Sequence, residues 1–173
     1  MAALGHLAVG LVAGRAHRRG RPAAAMALLV ALSYLADLDA VGLRLGVPYA
    51  APFGHRGAMH SLAFALVVSL VVLAVEAARG RPALGIFGWA LLVMATHPLL
   101  DAATDGGMGV ALFWPLSDER VFLPWRFLPV APIGPGIFSA RGLHVVLVEL
   151  AWSALLLGWA LWPRGADARA RAA

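Results

Sequence analysis

The sequence predicts an all-α, polytopic integral membrane protein with about five transmembrane helices. Three observations predict it. Of the 173 residues, 61% are hydrophobic and 13% charged, which is too apolar for a soluble domain of this length. The apolar residues gather into runs, three of them near the roughly 20 residues a helix needs to cross the hydrocarbon core. The basic residues, all of them Arg, lie mostly in the connectors between those runs.

The first segment, residues 2–14, is short. No positive charge precedes it and Arg15, Arg18, Arg19 and Arg21 follow it, which is not the charge order of a cleaved signal peptide and favours a start outside the cell. A second segment, 22–36, opens on Pro22, whose fixed φ and missing N–H suit a first helical turn. Segments 58–78, 83–100 and 143–162 are each long enough to span. Between the last two lies a Pro- and Gly-rich stretch, 102–140, longer than ordinary connectors. Its aromatic content argues against disorder, and 110–125 reads as a short hairpin turning about 117–120, with Trp114, Ser117, Arg120 and Trp125 as residues of a lid. There is no internal repeat, so residues 1–173 read as a single membrane-embedded domain.

If each segment crosses once, Arg15, Arg18, Arg19, Arg21, Arg79, Arg81, Arg164, Arg169 and Arg171 share one side. Arg44, Arg56, Arg120, Arg126 and Arg141 share the other. Nine against five puts the N-terminus outside and the C-terminus in the cytoplasm. The formal net charge of +5 is then topogenic, since the Arg form no stripe with interleaved aromatics, and no nucleic-acid partner is expected. With no Cys, disulfides and thiolate metal sites are excluded.

Against that apolar background the ligand-type side chains cluster. They are His6, Asp37 and Asp39, His55 and His60, and His97 and Asp101. Helical rise puts them in one layer near the non-cytoplasmic side, about 16 Å above the cytoplasmic connectors for His6, about 22 Å for Asp37 and His97, and about 28 Å for His60 and Asp101. His97 and Asp101, four apart, share a helical face and can meet one ion; Asp105 extends that stripe if the helix continues. Asp37 and Asp39 diverge on a regular helix, though at a helix end the second can turn back. Burying such groups is costly unless a metal or a reaction needs them. Four His and three Asp suffice for one or two divalent ions, Zn²⁺ first, with Mn²⁺ or Fe²⁺ as alternatives. His17, among arginines, reads as a surface residue, Glu76 as a partner of Arg79, and His144 and Glu149 as outer support at most.

The motifs Ala36-Asp37-Leu38-Asp39, Gly54-His55-Arg56-Gly57-Ala58-Met59-His60-Ser61-Leu62, His97-Pro98-Leu99-Leu100-Asp101 and Leu112-Phe113-Trp114-Pro115, after an early His6, resemble the YdjM-like family of membrane-bound metal-dependent hydrolases. The resemblance runs from the first segment through about Pro115 and implies a multi-pass protein of a prokaryotic plasma (inner) membrane with metal-dependent hydrolase activity. The His-x-x-x-Asp element is also similar to the helical ligand pair of zinc phospholipase C and nuclease proteins, which makes phosphoester chemistry an analogy.

The expected function is hydrolysis of an ester or phosphoester in an amphiphilic or lipid-linked substrate met in the bilayer. His6, Asp37, Asp39, His55, His60, His97 and Asp101 are the expected metal ligands, with Asp37 alternatively the general base. Arg56 is expected to clamp a phosphate. The alternatives are a metal-ion transporter, a metal-binding membrane protein without catalysis, and a bis-histidine haem protein using His6 and His97.

Overall fold

The computed structural model describes residues 3–17 and 22–163, whose regular structure is all helical apart from two isolated β-bridges. Six α-helices form: α1 (Ala3–Ala16), α2 (Pro22–Leu35), α3 (Ala40–Arg44), α4 (Leu62–Ala78), α5 (Ala83–Ala102) and α6 (Ala140–Leu161). A 3₁₀ turn at Ala36–Asp39 joins α2 to α3, so that Pro22–Arg44 is one long apolar unit. Among the described residues, that unit, α5 and α6 are the three helices long and apolar enough to cross a membrane. The other two apolar helices, Leu4–Ala16 and Leu62–Ala78, are shorter. Arg18, Arg19, Arg21 and the arginines after residue 163, on which the charge asymmetry leans, lie outside the described residues.

Close packing of small residues holds the bundle. Gly10 and Gly14, one turn apart on α1, sit so near α2 that an added Cβ would lie 2.9 Å from the Val30 Cα and 2.6 Å from the Met26 Cα. Such small-xxx-small seams let helix backbones approach where lipid offers no hydrophobic drive to associate. Ala13, Leu29, Leu32, Ala65, Val72, Ile86, Ala90, Val93 and Met94 fill the core between α1, α2, α4 and α5. The outward faces of α4 and α6 stay apolar and exposed, as at Val67, Val71, Leu147 and Leu155. This is the surface of a protein solvated by acyl chains.

Helix α6 runs parallel to α1. Its Glu149 accepts a hydrogen bond from the Leu4 N–H at 2.7 Å, and its last carbonyls, of Ala160 and Trp162, accept from the Arg15 guanidinium. A carboxylate is the natural partner for the unsatisfied N–H groups at a buried helix start. Glu149 is thereby accounted for as the support of α1.

The stretch 102–140 is mostly irregular, with one 3₁₀ turn at Gly134–Phe138. The expected hairpin shrinks to a single antiparallel pair, Val110 with Val121. Pro115 and Pro124 cannot donate to a ladder, which limits its extension. Arg120 donates to the carbonyls of Tyr49, Ala51 and His55, and the Trp114 ring meets Phe53 edge-on, so this stretch is fastened over the loop that carries His55. Trp125 is 76% exposed and Ser117 accepts only a local bond from Glu119.

Two expectations fail. His17 is buried instead of surface-exposed, lying against the start of α5 near Gly85. Asp105 does not extend the α5 stripe, because the helix ends at Ala102 and Asp105 turns away to accept from Val130 N–H. Glu76 does pair with Arg79, and with Arg81 as well. His144 is exposed.

Candidate metal centre

Each pocket residue owes its position to a local break in regular structure. The tight 3₁₀ turn at Ala36–Asp39 sends Asp37 to the Nε2 side of the His60 ring and Asp39 to its Nδ1 side. His60 ends another 3₁₀ turn, Ala58–His60, just before Ser61, whose hydroxyl caps α4 by accepting from Phe64 N–H at 3.0 Å. Arg56 adopts φ 62°, the only non-glycine with positive φ among the described residues, a conformation that costs energy and persists where the surroundings over-determine it. Gly54 and Gly57 allow that loop to double back, since a Cβ on either would lie 2.2 Å from a carbonyl oxygen, of Pro48 or Pro52. On α5, His97 and Asp101 face inward together, both fully buried.

Four donor atoms converge. His60 Nε2 lies 3.2 Å from His97 Nε2, 3.3 Å from Asp101 Oδ2 and 3.6 Å from Asp37 Oδ1. His97 Nε2 lies 3.7 Å from the same Asp37 oxygen. The two contacts to Asp37 are too long for hydrogen bonds. They fit instead the edges of a coordination shell, because four ligands at 2.0–2.1 Å in a tetrahedron stand about 3.3–3.4 Å apart. Asp37, His60, His97 and Asp101 can therefore hold one ion.

Behind these donors stands a second layer. His97 Nδ1 lies 2.7 Å from the Ser33 carbonyl, and since a carbonyl only accepts, Nδ1 carries the proton and Nε2 presents its lone pair to the pocket. His60 Nδ1 lies 2.9 Å from Asp39 Oδ2, the oxygen sitting off the ideal N–H direction. The Asp39 carboxylate also takes the Arg56 backbone N–H at 3.0 Å and His55 Nδ1 at 2.6 Å. Asp39, His55 and His60 form a second group able to hold an ion. The 2.6 Å separation is that of a short hydrogen bond and is well under a ligand-ligand edge, so this group is better suited to aiming His60.

Arg56 is buried and directed at the pocket. Its Nε lies 3.2 Å from Asp101 Oδ2, and its Nη1 donates to Thr104 Oγ1 at 3.0 Å and to the Gly106 carbonyl at 3.2 Å. Its Nη2 has no hydrogen-bond partner among the described residues. Gly107, at φ 87°, leaves room for the guanidinium and the Tyr49 hydroxyl, each 3.1 Å from where a Cβ would stand.

His6 reaches the pocket from α1. Its ring stacks on His97 at 3.8 Å with an 11° interplanar angle. Stacked rings cannot serve as axial ligands on opposite sides of one iron, which removes His6 and His97 as a haem-ligating pair. All seven expected ligands and Arg56 thus lie in one buried region, with four in a common donor set. The Ser33 carbonyl and the Leu4 N–H that Glu149 holds leave no residue-type signal in a sequence, and the Thr104 hydroxyl that meets Arg56 is not a ligand-type group.

No solved structure matches this chain. The inner membrane protein YbcI of Escherichia coli (strain K12) is 39% identical over 142 residues, covering 78% of this chain and 82% of that protein. The family model described as YdjM inner membrane protein matches residues 1–166. With the family matched over nearly its whole length, the chain belongs to the YdjM family of inner membrane proteins.

Proposed function

We propose that this protein is a membrane-embedded, metal-dependent hydrolase whose ion is held by Asp37, His60, His97 and Asp101 and whose substrate is an ester or phosphoester of an amphiphilic, lipid-like molecule. The observation that carries this reading is the spacing of the four donors, 3.2–3.7 Å apart where measured, around a common point. Two imidazoles and two carboxylates without sulfur suit Zn²⁺ best, ahead of Mn²⁺ and Fe²⁺. When bound, such an ion supplies Lewis acidity toward water and the scissile ester.

The chain's own residues supply the rest. The Ser33 carbonyl and Asp39 fix the orientations of His97 and His60, the outer support that metal-binding histidines require. Asp37 gives Oδ1 to the donor set, and its Oδ2, without a hydrogen-bond partner among the described residues, is suited to take up a proton from water. The free Nη2 of Arg56 can bond a phosphoryl oxygen in a charge-assisted contact.

The membrane setting supports an amphiphilic substrate. In this reading α1 and α4 also cross, making five spans with the N-terminus outside and the C-terminus cytoplasmic. The donor set then lies toward the outer leaflet, beneath a stretch that exposes Phe113, Leu116, Trp125 and Phe127, side chains suited to anchoring at a membrane interface.

Asp39→Asn is expected to keep the fold and weaken zinc binding roughly 10- to 100-fold, the usual effect of losing a ligand's outer partner; competition with a fluorescent chelator measures it. The function itself is tested by presenting phospholipids, p-nitrophenyl esters and p-nitrophenyl phosphates to the zinc-loaded protein in lipid nanodiscs. Turnover that disappears with a chelator and in Asp101→Ala is expected. Absence of turnover on every substrate, with zinc uptake into proteoliposomes that His97→Ala stops, would establish a transporter instead.

A further inference from the structure

The donor set leaves one buried imidazole unused. His6 is 1% exposed, and neither of its ring nitrogens has a hydrogen-bond partner among the described residues. A ring nitrogen carrying hydrogen in such a place calls for a partner. Its Nε2 points at the pocket, 3.7 Å from Asp101 Oδ1. That oxygen is the one Asp101 does not direct at His60, Oδ2 being 3.3 Å from His60 Nε2.

His6 cannot share an ion with His97. An imidazole lone pair lies in the plane of its ring, and the two rings are stacked at 3.8 Å with planes only 11° apart. An ion in the plane of His97 is therefore displaced from the plane of His6 by most of that stacking distance. Two ions, one in each plane, would stand about as far apart as the rings. Paired hydrolytic metal ions are typically about 3.5–4 Å apart.

We infer that a second divalent cation binds beside the first, held by His6 Nε2 and Asp101 Oδ1, with the Asp101 carboxylate bridging the pair. This rests on the four-donor reading of the first site. Helix α1 presents His6 rigidly: Glu149 holds the Leu4 N–H at 2.7 Å, and Gly10 and Gly14 press the helix onto α2. With two protein donors the second ion keeps more open positions than the first, for water or a substrate oxygen. It also binds more weakly, and only after the first has neutralised part of the carboxylate charge.

The test is a Mn²⁺ titration of the metal-depleted full-length protein in nanodiscs, read by elemental analysis and by electron paramagnetic resonance. Wild type is expected to take up two ions per chain, with the spectrum of an exchange-coupled pair. His6→Asn and His6→Phe, the second of which keeps a ring stacked on His97, are expected to take up one ion each and show the hyperfine pattern of isolated Mn²⁺. One ion in wild type, or two retained in both variants, overturns the second site and leaves the first standing. No ion in wild type overturns both.

Discussion

Replacing His60 with alanine is expected to strip the protein of bound zinc while leaving it inserted in the membrane. No other side chain stands in both ligand groups: its Nε2 faces Asp37, His97 and Asp101, and its Nδ1 faces Asp39. The affinity loss should exceed the roughly 10- to 100-fold typical of an outer partner. Helix α4 keeps its Ser61 cap and its apolar faces in the variant, so elemental analysis after gel filtration separates metal loss from misfolding. The same residue sets a pH dependence. A proton and a metal ion compete for its Nε2, and zinc affinity is expected to climb as pH rises and the imidazole gives up its proton.

Gly14→Val is expected to be the most damaging substitution outside the pocket. A Cβ at Gly14 would stand 2.6 Å from the Met26 Cα, a backbone atom that cannot swing away. Helices α1 and α2 would have to separate, opening the seam that also carries Gly10 and shifting His6 from its stack on His97. Overpacking of this kind costs about 1–3 kcal/mol and sometimes more, a large share of the roughly 5–15 kcal/mol that holds a typical fold together. Gly158→Ala on α6 is the control, since a Cβ there meets nothing within 4 Å, and alanine favours a helix by about 1 kcal/mol over glycine. Thermal unfolding in detergent should show a clear loss for Gly14→Val and a neutral or small positive change for Gly158→Ala.

The helices were legible because apolar runs between arginine-bearing connectors have few other readings in a chain with so little charge. His97 and Asp101 were legible as a pair for the same periodic reason, four residues on one helix. What spacing could not reveal is the division of labour between Asp37 and Asp39, because it depends on a 3₁₀ turn replacing the last turn of α2. Nor could it reveal Glu149's role, whose partner is a backbone amide 145 residues away. His17 was misread by its neighbours: local charge suggested exposure, and tertiary packing buried it. The hairpin expected in 110–125 is cut short by its prolines, leaving one bridged pair.

The most direct test of the account is zinc K-edge X-ray absorption on the purified wild-type protein, loaded with a single equivalent of Zn²⁺. Four nitrogen and oxygen neighbours at about 2.0–2.1 Å are expected, including the multiple-scattering signature of two imidazoles, which falls to one in His97→Ala. A hexa-aqua spectrum, or a spectrum unchanged by that substitution, would contradict a shared cation among Asp37, His60, His97 and Asp101.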